Sequence, residues 1–489
     1  MKIAFVSSEA VPFAKTGGLA DVAGALPKYL QQAGCDVKVF IPKYSSIDEQ
    51  RFGLQYDATI GRIPVRVGGI PRDVYVHHAP LPGSTVDAYF IDNHHFFHRG
   101  SIYTNAWDED ERFICFVKGV IELLQRLEWA PDVMHCNDWP TGLLPVLLKD
   151  NYSWDGLFQH TATLMSIHNI GYQGLFPRET MQRAEIRPEL FHPGGPLEFN
   201  NAVSFLKAGI VYSDSISTVS ETYAREILTP AYGAGMDGVL RSRTADLFGI
   251  LNGIDDEDWN PENDRHLPFH YAGNDLRGKT ENKKFLLSSV GMEFSEHRPV
   301  IGIISRLVAQ KGFDLFEASL GDLMDLDAQW VILGTGEERF EEMFRSLAAS
   351  LSGRVWVHIG FNNELAHLIE AGADMFLMPS HYEPCGLNQM YSLRYGTVPL
   401  VRHTGGLADT VHDWHESTWN GRDDGNGFSF HDATGYALFT TVRRAVTLFH
   451  DRQVWRKIQR NGMQQDFSWN ASAKKYIGVY GTALARRRG

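Results

Sequence analysis

Thr16-Gly17-Gly18-Leu19-Ala20-Asp21 recurs letter for letter as Thr404-Gly405-Gly406-Leu407-Ala408-Asp409, 388 positions later. Six identical residues in matching contexts point to two related halves. The spacing is far too long for a solenoid repeat. Each copy is expected to follow a strand and open a helix. Working outward, short apolar β-branched runs recur at 2–7, 37–41, 133–136, 163–167 and 215–219 in the first half. In the second half they fall at 300–304, 330–334, 355–359, 374–379 and 398–401. Such runs lack strict alternation, which suits strands buried on both faces. Helix-length stretches separate them, and that alternation gives parallel sheets covered by helices. The predicted fold class is α/β, with two Rossmann-like doubly wound domains.

Asn252-Gly253, the acidic run 255–258 and Pro261 punctuate the chain between the halves. The expected domains are 1–247 and 248–467, with a terminal helix over 468–489. The acidic run is read as a solvated turn rather than a cation site. Segment 55–90, rich in Val, Tyr and Gly, is expected to form an antiparallel excursion.

At 489 residues and 43% hydrophobic, the chain can build more than one core. Its formal net charge of −13 argues against nucleic acid as a partner. A local basic pocket on an acidic protein can still hold an anionic small substrate. No apolar run approaches the roughly 18 residues of a membrane helix. The opening Met1-Lys2-Ile3-Ala4-Phe5-Val6 is too short for a signal peptide and reads as a strand. Four scattered cysteines suggest neither a disulfide framework nor a zinc ribbon, and a cytoplasmic, reduced location is expected.

Lys15-Thr16-Gly17-Gly18 offers close backbone approach, amide N–H groups at a helix start and a neighbouring cation, a set that attracts phosphate. It is neither a Walker loop nor GxGxxG. Arg306 and Lys311 leave the strand 300–304 at its carboxyl end, where open α/β sheets bind ligands. Two cations there suit a diphosphate. Glu383 lies in His381-Tyr382-Glu383-Pro384-Cys385-Gly386-Leu387, placed to hold hydroxyls of a polar ligand or to complement a helix dipole. Cys385 has no activating partner in sequence and is read as lining. His135–Trp139 and 166–174 put further polar tips, Asp138 and His168, after apolar strands. His94, His95 and His98 are read as a surface turn, and 423–427 lacks the bidentate Glu of a calcium loop. No residue is assigned as a metal ligand.

Taken together, these segments resemble the glycogen and starch synthase family of retaining glycosyltransferases over essentially the whole chain. The carriers are KTGGLADV at 15–22, HCNDW at 135–139, HNIGYQG at 168–174, GILNGID at 249–255, SRLVAQKG at 305–312, HYEPCGLNQM at 381–390 and RHTGGLADTV at 402–411. The resemblance implies a GT-B arrangement, two facing Rossmann-like domains with a deep cleft and a terminal helix returning to the first. It implies transfer of glucose from ADP-glucose to the non-reducing 4-hydroxyl of an α-1,4-glucan such as glycogen, with retention and without a cofactor. By the same resemblance Lys15, Gly17 and Gly18 contact the diphosphate, and Arg306 and Lys311 neutralise it as it leaves. Glu383, His168 and Asn252 hold the donor sugar, with Cys385, Gly386 and Leu387 beside it and Asp138 near sugar or acceptor. Thr404 and Gly405 complete the pocket. Phe361 stands where family members commonly carry tyrosine and stacks on adenine, keeping the aromatic face but not the hydroxyl. Another retaining sugar-nucleotide transferase of this fold, a nucleotide-sugar epimerase, or a catalytically idle glucan-binding relative are the alternatives. The residues leave a double displacement and a front-face route both open.

Overall fold

The computed structural model describes residues 1–488. They divide into two compact units. The first comprises 1–219, 224–253 and 469–489; the second comprises 220–223 and 254–468.

Unit one is built on a sheet of ten strands among the described residues. Seven are parallel, in the order Leu247–Gly249, Ser215–Thr218, Ala162–Ile167, Val133–Asn137, Lys2–Val6, Asp36–Pro42 and Asp87–Asp92. Central strands Val133–Asn137 and Ala162–Ile167 are buried at every position, including the polar His135, Asn137, Thr163 and Ser166, as strands covered on both faces are. The antiparallel excursion is present as Gln55–Tyr56, Ile63–Val67 and Ile70–Pro80. Its last run behaves differently from the expectation. Asp87–Asp92 pairs antiparallel with Ile70–Pro80 on one side and parallel with Asp36–Pro42 on the other, so it belongs to the doubly wound sheet.

The division between the halves also lies later than 247–248. Leu247–Gly249 is the edge strand of the first sheet, with Phe248 opposite Ser217 and Gly249 opposite Thr218. Three residues on an edge carry too little periodicity to read from sequence.

Helix Trp469–Arg488 packs within this first unit. Tyr476 and Tyr480 are fully buried. The Tyr480 hydroxyl meets His135 Nδ1 at 2.8 Å, and His135 Nε2 meets Ser166 Oγ at 2.6 Å. Burial holds the His135 imidazole well below its usual pKa, so this network is neutral. Ser472 Oγ donates to Leu251 O at 2.6 Å, and a Cβ on Gly253 would lie 2.6 Å from Trp469 Cα. The chain therefore closes on its own first unit through tight backbone contact, with large aromatic burial worth roughly 1.5–3 kcal/mol per side chain.

Unit two carries six parallel strands, in the order Val355–Ile359, Gln329–Gly336, Val300–Leu307, Met375–Met378, Val398–Arg402 and Phe428–Phe430. Its core packs Trp330, Phe316 and Phe344 on one face. Leu286, Val331 and Phe376 pack on the other.

In both sheets the strand order reverses beside the first strand of the unit. That point lies between Lys2–Val6 and Val133–Asn137 in unit one, and between Val300–Leu307 and Met375–Met378 in unit two. Loops leaving the carboxyl ends of such neighbours diverge to opposite faces and leave a crevice.

Candidate functional site

At the switch point of unit two, Arg306 is the penultimate residue of the eight-residue strand Val300–Leu307, and Lys311 closes the short 3₁₀ turn Ala309–Lys311. Gly312 follows with φ 78°, and a Cβ there would lie 1.9 Å from Pro379 O. Only glycine lets the two loops approach this closely. His381 N donates to Gln310 O at 2.9 Å, and Asn388 Nδ2 donates to Ile304 O at 2.8 Å. These bonds hold the 380–388 loop against the 305–311 loop.

The result is a cavity of about 190 Å³ lined by Arg306, Lys311, Ser380, Glu383, Gly386 and Leu387 among others. Lys311 Nζ donates to Glu383 Oε2 at 2.5 Å, and Ser380 Oγ donates to the same oxygen at 3.1 Å. Lys311 is thus not a free cation: its charge is shared with the carboxylate it faces. Arg306 is exposed and makes no ion pair among the described residues. One unpaired and one anchored cation therefore border the same cavity. Cys385 is buried against this loop, consistent with lining rather than chemistry.

The second glycine copy packs directly behind Glu383. A Cβ on Gly405 would lie 2.0 Å from Glu383 O, and one on Gly406 would lie 1.9 Å from Cys385 O. Gly406 N donates to Glu383 O and Pro384 O, both at 3.1 Å. Thr404 is fully buried. These glycines support the carboxylate loop by close packing, and the Gly406 N–H is already committed to it. Phe361, after Gly360 at the end of strand Val355–Ile359, is 85% exposed and has its ring free for stacking.

The first glycine copy differs. Strand Lys2–Val6 and helix Gly18–Gln32 are separated by residues 7–17, so this copy does not follow its strand directly. A Cβ on Gly17 or Gly18 would meet nothing within 4 Å. Nor are all its amides free. The buried Glu9 carboxylate accepts from Thr16 N at 2.5 Å and Gly17 N at 3.1 Å, and its other oxygen accepts from Tyr103 Oη at 3.1 Å. Lys15 Nζ pairs with Asp21 at 2.7 Å. Glu9 escaped the sequence reading, although Ser7-Ser8-Glu9 is a polar tip on a strand like those that flagged Asp138.

Across the switch point of unit one stand Asp138 and His168. Asp138 takes φ 54°, a strained conformation outside glycine. Its Oδ1 accepts from His168 N at 2.7 Å. Withdrawal from water pushes its carboxyl up to about 7 despite that bond. His168 Nε2 meets Asn137 Oδ1 at 3.0 Å, and Asn137 Nδ2 donates to Val6 O at 3.0 Å. That orientation of the amide makes Nε2–H the donor and leaves Nδ1 as the lone-pair nitrogen. Burial lowers the imidazole to about 3, so His168 is neutral at physiological pH. Asn252 is buried, and its Oδ1 has no hydrogen-bond partner among the described residues. A buried acceptor left open is costly unless a ligand donor reaches it.

Residues 2–242 match the starch synthase catalytic domain model, and 290–457 match glycosyl transferases group 1. Glycogen synthase of Geotalea daltonii is 44% identical, covering all of both chains. Glycogen synthase of Thermotoga maritima is 44% identical over 99% of each. The catalytic domain of starch synthase IV from Arabidopsis thaliana, solved with ADP and acarbose bound, superposes with a TM-score of 0.90 at 31% identity over 99% of each chain. Sucrose-phosphate synthase of Thermosynechococcus elongatus shares the fold, with a TM-score of 0.60 at 16% identity over 99% of each. Two doubly wound units of the GT-B type, each with its polar groups gathered at its own switch point, thus coincide with full-length similarity, and the chain belongs to the glycogen and starch synthase family of glycosyltransferases.

Proposed function

We propose that the protein transfers glucose from ADP-glucose to the non-reducing 4-hydroxyl of an α-1,4-glucan, with retention at the anomeric carbon. The observation that carries this reading is the cavity at the switch point of unit two, bordered by Arg306, Lys311 and Glu383. In this reading the second unit takes the nucleotide sugar and the first takes the acceptor. Arg306 and Lys311 meet the diphosphate, where negative charge grows as the anomeric C–O bond breaks. Cations that bind that state more strongly than the ground state lower the barrier. Arrival of the diphosphate gives Lys311 a second anionic partner beside Glu383. Glu383, oriented by Lys311 and Ser380, then accepts from sugar hydroxyls. Amides of Cys385–Leu387 lie beside it, Thr404 and Gly405 support it, and Phe361 stacks on adenine.

Lys15, Gly17 and Gly18 hold the phosphates from the first unit. His168, neutral, presents Nδ1 to a sugar hydroxyl, and Asn252 offers Oδ1. Asp138 stands beside the acceptor. The two carboxylates are poorly placed as nucleophiles: Glu383 is tied to a lysine and a serine, and burial pushes the Asp138 carboxyl up to about 7. A front-face route fits better. The C1–O bond to the β-phosphate breaks, the C1–O4 bond forms on the same face, and the acceptor proton passes to the departing phosphate. Turnover with ADP-glucose and UDP-glucose on glycogen tests the assignment. A clear preference for ADP-glucose is expected. Preference for UDP-glucose refutes the donor, and inertness to both favours the idle glucan-binding alternative.

A further inference from the structure

Apart from the loops just described, three side chains in unit two converge on one point. Asp258 and His266 come from the segment after the domain junction, and His367 from helix Asn363–Gly372. One ligand atom from each lies within 4.8 Å of the other two. We infer that Asp258, His266 and His367 form a site for one zinc ion, pinning the 258–266 segment to helix Asn363–Gly372.

His367 is the anchor. It is fully buried, and its Nδ1 meets Asp264 Oδ2 at 2.8 Å. Asp264 is itself fixed, accepting from Tyr395 Oη at 2.6 Å and His266 N at 2.8 Å. A carboxylate on Nδ1 keeps the proton there and turns Nε2 into a bare lone pair, the arrangement that orients metal-binding histidines. That Nε2 is buried and has no hydrogen-bond partner among the described residues. It lies 4.0 Å from Asp258 Oδ2, too far for a hydrogen bond. Zinc bonds of about 2.0–2.2 Å at tetrahedral angles place ligand atoms roughly 3.3–3.6 Å apart. Closing the gap takes about half an ångström, within reach of the partly exposed Asp258 side chain. Trp259 stacks flat on the His367 ring at 3.8 Å and on Tyr391 at 4.0 Å, so the imidazole is clamped.

The His266 ring lies 4.6 Å from that of His367. Its Nε2 accepts from Arg265 Nε at 3.3 Å, and the same guanidinium lies 3.9 Å from Asp258 Oδ1. Two of the three ligands thus already attract one cation. Arg265 is largely exposed and can swing into solvent when a metal takes its place. Two imidazoles and one carboxylate, with water in a fourth position, are a donor set that suits zinc. Sequence alone conceals this set, because the ligands fit no short spacing motif.

The test uses the full chain, stripped with a chelator and dialysed. Zinc titrated against a chromophoric competitor should bind at one equivalent, and cobalt in its place should give the visible absorption of a tetrahedral site. His266→Ala and Asp258→Asn, both at partly exposed positions, should each weaken binding by at least the roughly 10- to 100-fold that loss of a mere outer-shell partner costs. Arg265→Ala should strengthen it by removing the competing cation. His94→Ala with His98→Ala controls for the other histidine cluster and should leave the equivalent intact. No tetrahedral cobalt spectrum, wild-type affinity in His266→Ala, weaker binding in Arg265→Ala, or loss of the equivalent in the His94/His98 control would each overturn the proposal.

Discussion

The two copies of Thr-Gly-Gly-Leu-Ala-Asp make opposite predictions for the same substitution. In Gly406→Ala, the new methyl would start 1.9 Å from Cys385 O and 2.6 Å from Cys385 Cα. Ordinary contact is more than an ångström longer, so the 383–385 backbone must move. Both Gly406 N–H bonds, to Glu383 O and Pro384 O, move with it. Overpacking of this kind costs about 1–3 kcal/mol. For a unit of this size each kcal/mol lowers Tm by roughly 2–4 °C, which gives a loss of about 2–12 °C. Because the displaced segment carries Glu383, kcat falls as well. In Gly17→Ala, the methyl meets nothing within 4 Å, and Gly17 sits at φ −143°, open to any residue. Its Tm should stay within about 2 °C of wild type. If a phosphate approaches this backbone closely, the apparent KM for ADP-glucose rises instead. Calorimetry without ligand, paired with full steady-state curves, separates the two effects. A Gly406→Ala protein with wild-type Tm and kcat refutes the packing argument. So does a Gly17→Ala protein that loses as much stability as Gly406→Ala.

Lys311→Ala should lower kcat by ~10²-fold or more, as for other lost charge-stabilising contacts; steady-state curves against a Lys311→Gln control separate charge from bulk. Lys15→Ala, at an exposed ion pair, should raise KM for ADP-glucose proportionately more than it lowers kcat, and an effect on kcat alone would reassign it. Phe361→Ala should raise KM for the nucleotide sugar while Phe361→Tyr retains it, measured in the same assay. Asp138, raised to about 7 from the usual carboxylate range, binds its proton more tightly in the native state. Its contribution to stability is therefore full in acid and is lost as pH rises through about 4 to 7, so Asp138→Asn should flatten that part of a denaturant-measured stability profile.

Much of this fold was legible because most of the parallel strands are buried on both faces. All ten predicted runs are strands, and the antiparallel excursion and terminal helix lie where composition placed them. What escaped includes Leu247–Gly249 and Phe428–Phe430, three residues each on sheet edges, the two- and three-residue strands Leu175–Phe176, Glu198–Phe199 and Ala202–Ser204, and Asp87–Asp92, absorbed into the excursion before it. At the site, residue types at strand ends singled out Arg306, Lys311 and Glu383. Their mutual state was not legible. Lys311 and Glu383 are 72 positions apart, and only the strand order brings them to 2.5 Å. Glu9 likewise cannot be matched to Thr16 and Gly17 without knowing how residues 7–17 fold back.

The identical hexapeptides show where letter-level inference stops. Glycine permits two separate things: backbone close to a ligand, and backbone close to backbone. Sequence records the permission without the use. At 404–406 the permission is spent inside the protein, since carbonyls of Glu383 and Cys385 fill the space a Cβ would need. At 16–18 it remains open toward solvent, while Glu9 already holds two of the amides. An incoming phosphate at the first copy must therefore either share the loop with that carboxylate or bind through Gly18 and Lys15 beyond its reach. The two copies put the same letters to different uses: one leaves its backbone open, and the other fixes the loop that carries Glu383.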